Sequence, residues 1–206
     1  DTYRSQKRGG KGIIGANHKE EDTLQQLFVA TTHHFILFFT NRGRVYRLKA
    51  YEVPQTSRQA MGTAIINLLS IEPGDSITAT VPVKVMDGNG YFIMATEKGE
   101  VKKTALQEFM NLRSNGLRAF DLEEGDNLKW VELSHGNDEV ILVTQNGMSI
   151  RFHEKDLRSA GRAAGGVRGI SLADGDRVVG MTLARPDCEL LVATELGFGK
   201  RTPVSS

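Results

Sequence analysis

The chain has 206 residues, 39% of them hydrophobic and 25% charged, which is the composition of a globular domain rather than of a disordered segment. No apolar run approaches the roughly 20 residues that cross a bilayer, and residues 1–12 lack the apolar stretch of a signal peptide, so we expect no membrane association. The single cysteine, Cys188, cannot form an internal disulfide, which favours a reducing cytoplasm. The net charge of +1 gives no indication of an acidic partner. Any binding surface for such a partner has to come from the local distribution of the charges.

One pattern occurs four times along the chain: a tetrad of apolar residues followed by Thr-x-x-Gly. The glycines of this pattern are 56, 48 and 50 residues apart, and a basic residue follows each of them by four positions. A short apolar run that ends in a glycine turn is typical of a buried strand entering a hairpin. The glycines are Gly43, Gly99, Gly147 and Gly197, and the basic residues are Arg47, Lys103, Arg151 and Arg201.

Each of the three longer repeats then continues through an Arg-to-Gly loop and a Gly-Asp turn that leads into an alternating strand. A repeat of about four strands cannot bury both faces alone, and about 50 residues is the size of a propeller blade. We therefore predict an all-β, propeller-like fold of about 50-residue, four-stranded blades. The loops are Arg58 to Gly62, Arg113 to Gly116 and Arg162 to Gly166, and the turns are Gly74-Asp75, Gly125-Asp126 and Gly175-Asp176.

The repeats divide a single predicted domain, residues 1–206, into roughly four blade equivalents. Two half-repeats flank three full ones, and we expect the last to be truncated in mid-blade. Because unpaired strand edges invite association, the predicted ring has a gap unless the two ends of the chain pair. The predicted units are a half blade at 1–34, full blades at 35–83, 91–134 and 139–184, and the start of a further blade at 189–206.

The first Arg-to-Gly loop differs from the others in having three cations and three glycines within seven residues. Backbone N–H groups and basic side chains in such a loop can approach a phosphate together. The alternative is a flexible basic terminus. It is not a P-loop, because no Ser or Thr follows the Gly-Lys pair. This basic loop consists of Gln6, Lys7, Arg8, Gly9, Gly10, Lys11 and Gly12.

The basic loop resembles the gyrase-A box, usually written Q-R-R-G-G-K-G, with Lys7 in place of the first Arg. The segments 36–48, 62–69 and 199–203 are also similar to the C-terminal domain family of DNA gyrase A. The resemblance implies a β-pinwheel, a propeller relative whose normally six blades exchange strands. It also implies a non-catalytic, DNA-wrapping part of a type IIA topoisomerase that supports ATP-dependent negative supercoiling. The implied partners are duplex DNA, the rest of gyrase A and the gyrase B protein of the heterotetramer, in the bacterial cytoplasm at the nucleoid.

Cations that recur at equivalent positions of a repeat are predicted to form a basic stripe on one surface. Phosphate contacts along such a stripe give salt-dependent binding with little sequence preference. The alternative for any single cation is a solvated loop charge. Besides the basic loop, the predicted DNA-binding residues are Arg42, Arg44, Arg47, Lys102, Lys103, Arg113, Arg118, Arg151, Arg158, Arg162, Arg168, Lys200 and Arg201.

Other chemistry is not indicated by the sequence. The five histidines lack the Cys/His spacing of a zinc site, and no nucleophile motif or carboxylate pair stands out, so we expect no catalytic residues, metal or cofactor. Two alternatives remain open. One is the matching C-terminal domain of topoisomerase IV, against which the basic loop argues; the other is a protein-binding propeller, whose usual repeat signatures are missing.

Overall fold

A computed structural model describes residues 25–57, 60–84, 89–112, 115–185 and 187–204. This part of the chain is built from short strands joined by turns, with four single 3₁₀ turns. None of its helical segments is long and apolar enough to cross a membrane. The 3₁₀ turns are Ala50–Glu52, Ile65–Asn67, Leu106–Phe109 and Glu154–Asp156. The strands are β1 (Phe35–Thr40), β2 (Arg44–Lys49), β3 (Ile77–Val83), β4 (Tyr91–Thr96), β5 (Glu100–Ala105), β6 (Leu117–Arg118), β7 (Leu128–Ser134), β8 (Glu139–Thr144), β9 (Ser149–His153), β10 (Val167–Arg168), β11 (Val178–Ala184), β12 (Glu189–Ala193) and β13 (Gly199–Pro203).

The Thr-x-x-Gly pattern forms the turn of each hairpin. Gly43 has φ of 72°, a left-handed conformation that a residue with a Cβ adopts only under strain. The hydroxyl of Thr40 accepts the N–H of Arg44 at 3.2 Å, and Thr96 accepts the N–H of Glu100 in the same way at 3.0 Å. Both threonines are fully buried. The pattern therefore encodes a turn whose backbone donor is satisfied by the threonine.

The strands form antiparallel sheets that combine segments of successive repeats. The first sheet has the order β3-β1-β2-β6 and the second β10-β5-β4-β7. β6 comes from the second repeat but pairs with β2 of the first, and β10 comes from the third but pairs with β5 of the second. The described part of the third sheet is β11-β8-β9, and β12 pairs with β13. The all-β, blade-like fold is confirmed. The predicted blade boundaries stay a prediction; in the structure, each of the first two sheets also contains one strand from the following repeat.

The two edges of each sheet differ in position. β3, β7 and β11 lie at one edge of their sheets, and β7 contacts both of the others, so these edges converge toward the centre. The opposite edges of the first two sheets, formed by β6 and β10, therefore lie on the outside. Between the first two sheets, the rings of Phe39, Phe92 and Phe109 pack edge to face with centroids 5.1–6.2 Å apart. The first blade thus buries its face against the second.

The last hairpin lacks this cover within the described residues. Leu191 of β12 is 68% exposed, whereas its equivalents Leu37, Ile93 and Ile141 are 0–8% exposed. Those three side chains lie beside a third strand, β3, β7 or β11, and the described chain supplies none beside β12. The predicted gap in the ring stays a prediction.

Candidate nucleic-acid interface

The outer edges of the first two sheets each carry one exposed arginine at the same repeat position. Arg118 is on β6 and Arg168 on β10, each two residues after the glycine that ends an Arg-to-Gly loop. Both residues are exposed. Arg118 contacts Asp121 at 2.8 Å, an exposed pair that leaves the arginine side chain 60% accessible. We call these two residues the outer-edge arginines.

Two further arginines cluster with Arg118. Arg44 is its cross-strand partner on β2 and donates to the carbonyl of Asn115 at 3.3 Å. The guanidinium of Arg162, from the next Arg-to-Gly loop, donates to the carbonyl of Arg118 itself. Arg44 also forms an ion pair of 2.9 Å with Glu72 and is 30% exposed. The first outer edge therefore brings three predicted cations together.

Four other predicted cations lie at the surface outside this cluster. Arg42 is 59% exposed and lies 3.5 Å from Asp75, and Arg201 is 70% exposed and lies 3.0 Å from Glu189. Arg158 and Lys200 are exposed. Residues 6–12 and Arg113, also predicted to bind DNA, lie outside the described residues.

The prediction that Lys102 and Lys103 reach phosphate is wrong. They are only 2% and 7% exposed, because β5 is an interior strand covered on both faces. The Nζ of Lys102 donates to backbone carbonyls, and the Nζ of Lys103 lies 2.9 Å from the Glu154 carboxylate and 4.3 Å from the Tyr91 ring. Neither ammonium is available to an external anion.

Arg47 and Arg151, at the same position as Lys103, also contact the following repeat. Arg47 donates to the carbonyls of Met110 and Leu112 at 3.0 and 3.3 Å. Arg151 donates to the carbonyl of Val204 and pairs with Glu139. In the first three repeats the basic residue four positions after the hairpin glycine therefore links one repeat to the next. At this position the predicted phosphate contact is contradicted for the buried Lys103 and stays a prediction for Arg47, Arg151 and the exposed Arg201.

The partner of Lys103 could have been found from the sequence register. Glu154 follows its hairpin glycine by seven residues, where the other repeats have Ala50, Leu106 and Val204. A single acid at an apolar position predicts a buried partner of opposite charge. Glu154 is fully buried: its carboxylate accepts hydrogen bonds from the Ser134 hydroxyl and from the N–H of Asp138.

The second outer edge is less positive than the first. Glu100 occupies the position of Arg44, and Arg168 is its cross-strand partner. Glu123 occupies the position of Glu72. The Arg44–Glu72 ion pair of the first repeat is thus replaced in the second repeat by two acids, Glu100 and Glu123. Burial, and then the charges of Glu123 and Asp126, raise the pKa of Glu100 above its ordinary value. The electrostatic potential therefore changes from blade to blade.

The acids of the Gly-Asp turns have a structural role. Asp126 accepts the N–H groups of Lys98 and Asn127 at 3.0 and 2.7 Å, and Asp176 accepts those of Asn146 and Arg177 at 3.1 and 2.8 Å. Each carboxylate therefore joins the last turn of the repeat to its own hairpin. The described residues contain no group of three side chains that could hold a metal ion.

The DNA gyrase C-terminal domain, beta-propeller, is the family whose model matches this chain, over residues 1–31, 34–84, 90–134, 138–185 and 189–206. The chain belongs to this family. Among the relatives, the DNA gyrase A protein of Staphylococcus epidermidis (strain ATCC 12228) is 47% identical over 99% of the chain. The corresponding protein of Mycolicibacterium smegmatis is 46% identical over the same share. The chain spans 23–24% of the length of these relatives.

Solved structures are similar to this gyrase-family domain in fold. The C-terminal domain of a DNA topoisomerase IV superposes with a TM-score of 0.79 and 30% identity, covering 93% of this chain and 60% of that one. A DNA gyrase A C-terminal domain gives the same TM-score at 24% identity, covering 97% and 64%. The gyrase-family resemblance inferred from the basic loop is therefore confirmed, and the gyrase A proteins of the type IIA topoisomerases are the class to which the domain belongs.

Proposed function

We propose that this domain binds, bends and wraps duplex DNA without sequence preference, through phosphate contacts on the outer edges of its sheets. The observation that carries the proposal is the pair of outer-edge arginines, Arg118 and Arg168, exposed at equivalent positions of successive repeats. Because the blades are related by the repeat, equivalent residues follow one another along the outside of the domain. Such a row suits a duplex that curves around it.

The contacts proposed for this surface come from the predicted cations that stay accessible. In the part of the chain that the structure describes they are Arg42, Arg44, Arg118, Arg158, Arg162, Arg168, Lys200 and Arg201. The basic loop at residues 6–12 is proposed beside them on the sequence alone. Arg47, Arg113 and Arg151 stay sequence-based proposals. Arginine and backbone N–H contacts to phosphate fix position without reading bases, so we expect sequence-tolerant binding.

Bending the duplex costs free energy, which the phosphate contacts have to supply. Smooth bending of 20–30 base pairs costs about 1–6 kcal/mol, so contacts have to be distributed along the arc. We propose that the domain is a non-catalytic part of a gyrase A protein. Together with the rest of gyrase A and with gyrase B in the cytoplasm, it would present wrapped DNA to the enzyme and support ATP-dependent negative supercoiling.

The proposal is tested by a salt titration of binding to a random-sequence duplex. For phosphate-dominated binding, the logarithm of the association constant falls linearly with the logarithm of the salt concentration, by about 0.9 per phosphate contacted. A steep slope that is the same for unrelated sequences supports the proposal. An affinity independent of salt, or no binding, would contradict it and favour a protein-binding propeller.

A further inference from the structure

The side-chain ammonium of Lys102 is surrounded by backbone carbonyl groups. Its Nζ donates to the carbonyl of Ala119 at 2.7 Å and to those of Arg162 and Ala164 at 2.7 and 2.8 Å, with Gly161 at 3.3 Å. An ammonium has three protons, so the three short contacts satisfy it. The Phe120 ring centroid lies 4.9 Å away and adds a cation–π contact. We call these four carbonyls the Lys102 cage.

The cage joins two segments that are distant in sequence. Ala119 directly follows β6, whereas the other three carbonyls belong to residues 161–164, at the start of the Arg-to-Gly loop of the third repeat. The N–H of Asp121 also donates to the carbonyl of Ala164 at 3.0 Å, and Gly166 lies against the Phe120 ring. One buried charge therefore holds the loop 161–164 against the segment that carries Arg118.

In the first repeat, too, this position faces the next Arg-to-Gly loop. Tyr46 occupies it in the first repeat, where its ring lies so close to Gly116 that a Cβ there would be 2.6 Å from the ring. Tyr46 packs against its loop with a neutral ring. In the second repeat the Lys102 ammonium supplies three donors to the carbonyls of the cage, and a buried carbonyl without a donor costs about 1–3 kcal/mol.

We infer that Lys102 is a positioning residue whose ammonium fixes the 161–164 loop and so sets the spacing of Arg118, Arg162 and Arg168 along the outer edge. The inference rests on the proposed function. Arg162 lies within the loop and reaches the carbonyl of Arg118, and Arg168 follows the loop by four residues. Lys102 itself contacts no DNA, yet it determines how many arginines one duplex meets at once.

The test uses Lys102→Met, which keeps the length of the side chain and removes its charge and donors. Lys155→Met is the matched control, because Lys155 is exposed and, among the described residues, its Nζ donates a hydrogen bond only to the Asn137 side chain. Both variants lose one positive charge. The readouts are the salt dependence of binding to a duplex of about 150 base pairs, which is one persistence length, and hydrogen exchange of the 161–164 amides.

We expect Lys102→Met to lower the salt slope by more than the roughly 0.9 that a single phosphate contact accounts for. Loop exchange should accelerate, and Lys155→Met should change the slope by no more than one contact and leave the loop protected. A slope change of one contact or less in Lys102→Met, with the loop still protected, would overturn the inference. Binding by the wild type that does not depend on salt would instead count against the proposed function.

A measurement on the wild type keeps the inference testable if Lys102→Met does not fold. The amide of Ala164 donates to the carbonyl of Gly161 at 3.1 Å inside the loop. If the ammonium fixes this turn, that amide and the Asp121 amide exchange far more slowly than a solvated loop. Exchange at the rate of an unstructured peptide would contradict the role assigned to Lys102.

Discussion

Lys103 and Glu154 form a buried ion pair, 2.9 Å from Nζ to Oε2, that joins the second repeat to the third. The two side chains are 8% and 0% exposed. Because the pair connects these two repeats, it fixes the position of their sheets relative to each other. It thereby also fixes the distance between the outer edges of the sheets. The same register position in the flanking repeats, Arg47 and Arg151, uses an arginine and carbonyl acceptors for the same purpose.

The first prediction concerns the stability that depends on this pair. Replacing Glu154 with Gln leaves the Lys103 ammonium buried without its counter-charge, which costs about 3–5 kcal/mol of the free energy of unfolding. Glu189→Gln, which breaks the exposed pair with Arg201, should cost far less. Chemical denaturation of both variants measures the difference. Equal midpoints would show that the buried pair contributes nothing beyond a surface pair.

The pH dependence of this contribution follows from the pKa of Glu154. Burial acts to raise the pKa, but the hydrogen bonds from Ser134 and Asp138 and the contact with Lys103 outweigh it, so the pKa lies below the ordinary 4.5. A lowered pKa means that the stability is fully present above about pH 4.5 and is lost as the pH falls through the folded-state value. The gap between the wild type and Glu154→Gln should therefore narrow below pH 4.5. A gap that widens there would contradict the assignment.

The second prediction concerns the outer-edge arginines. The double variant Arg118→Gln, Arg168→Gln should flatten the salt slope of DNA binding by about 1.8, since each phosphate contact contributes about 0.9. A single Arg177→Gln variant gives the control, because Arg177 pairs with Glu97 of the preceding repeat and is not on β6 or β10. Its slope should change by less than one contact. If the double variant keeps the wild-type slope, these arginines do not contact phosphate.

The third prediction concerns the acid at the second outer edge. Glu100→Gln removes a negative charge beside Arg168 and Glu123, so DNA affinity should increase at pH 7. Because its pKa is raised, the Glu100 charge disfavours the folded state at neutral pH, and this penalty disappears as the pH falls through the raised pKa. The variant should therefore be more stable than the wild type at pH 7 and closer to it at pH 4. Weaker DNA binding by the variant would be the contrary result.

The fourth prediction separates backbone strain from crowding at two glycines. Gly43 and Gly175 have almost the same φ, 72° and 73°. A Cβ at Gly43 would lie 2.5 Å from the Phe120 carbonyl oxygen, whereas none of the described atoms is within 4 Å of one at Gly175. Gly175→Ala should cost about 1–2 kcal/mol from φ alone, and Gly43→Ala a further 1–3 kcal/mol or so from overpacking. Equal losses in thermal unfolding would mean that Phe120 moves aside freely.

The fifth prediction concerns the basic loop, residues 6–12, on sequence grounds. Replacing Lys7, Arg8 and Lys11 with Ala should leave binding of a short straight duplex largely intact, because many other cations remain. Bending of longer DNA should be lost, since a bent duplex recoils unless its last phosphates are held. The control replaces Lys49, Lys84 and Lys155, three exposed lysines, with Ala. Equal bending by the two triple variants would remove any special role of the loop.

Much of the fold could be predicted because the repeat makes each element appear several times. The four tetrads are strands β1, β4, β8 and β12, and the hairpin glycines all have positive φ. The error at Lys102 and Lys103 has a physical cause. A basic residue in a strand looks exposed by composition, but strand exchange places β5 inside its sheet and supplies carbonyl and carboxylate partners from the next repeat. That information lies in contacts between residues 51 to 62 positions apart.

The location of the outer edge also could not be read from the sequence. β6 and β10 are two residues long, too short to show the alternating pattern of a strand. Their pairing at the sheet edges nevertheless places Arg118 and Arg168 on the outside. Glu154 is the sequence signal for the interior link to Lys103, because it is an acid at a register position where the other repeats have apolar residues.

The most direct test of the account is the end-to-end distance of a duplex of about 150 base pairs, labelled at both ends, with the domain bound at low salt. If the domain wraps DNA, the distance shortens when the wild-type domain binds. Raising the salt concentration then restores the free length as the phosphate contacts are lost. A duplex that is bound at saturation but keeps its free length would contradict the claim that this surface bends and wraps DNA.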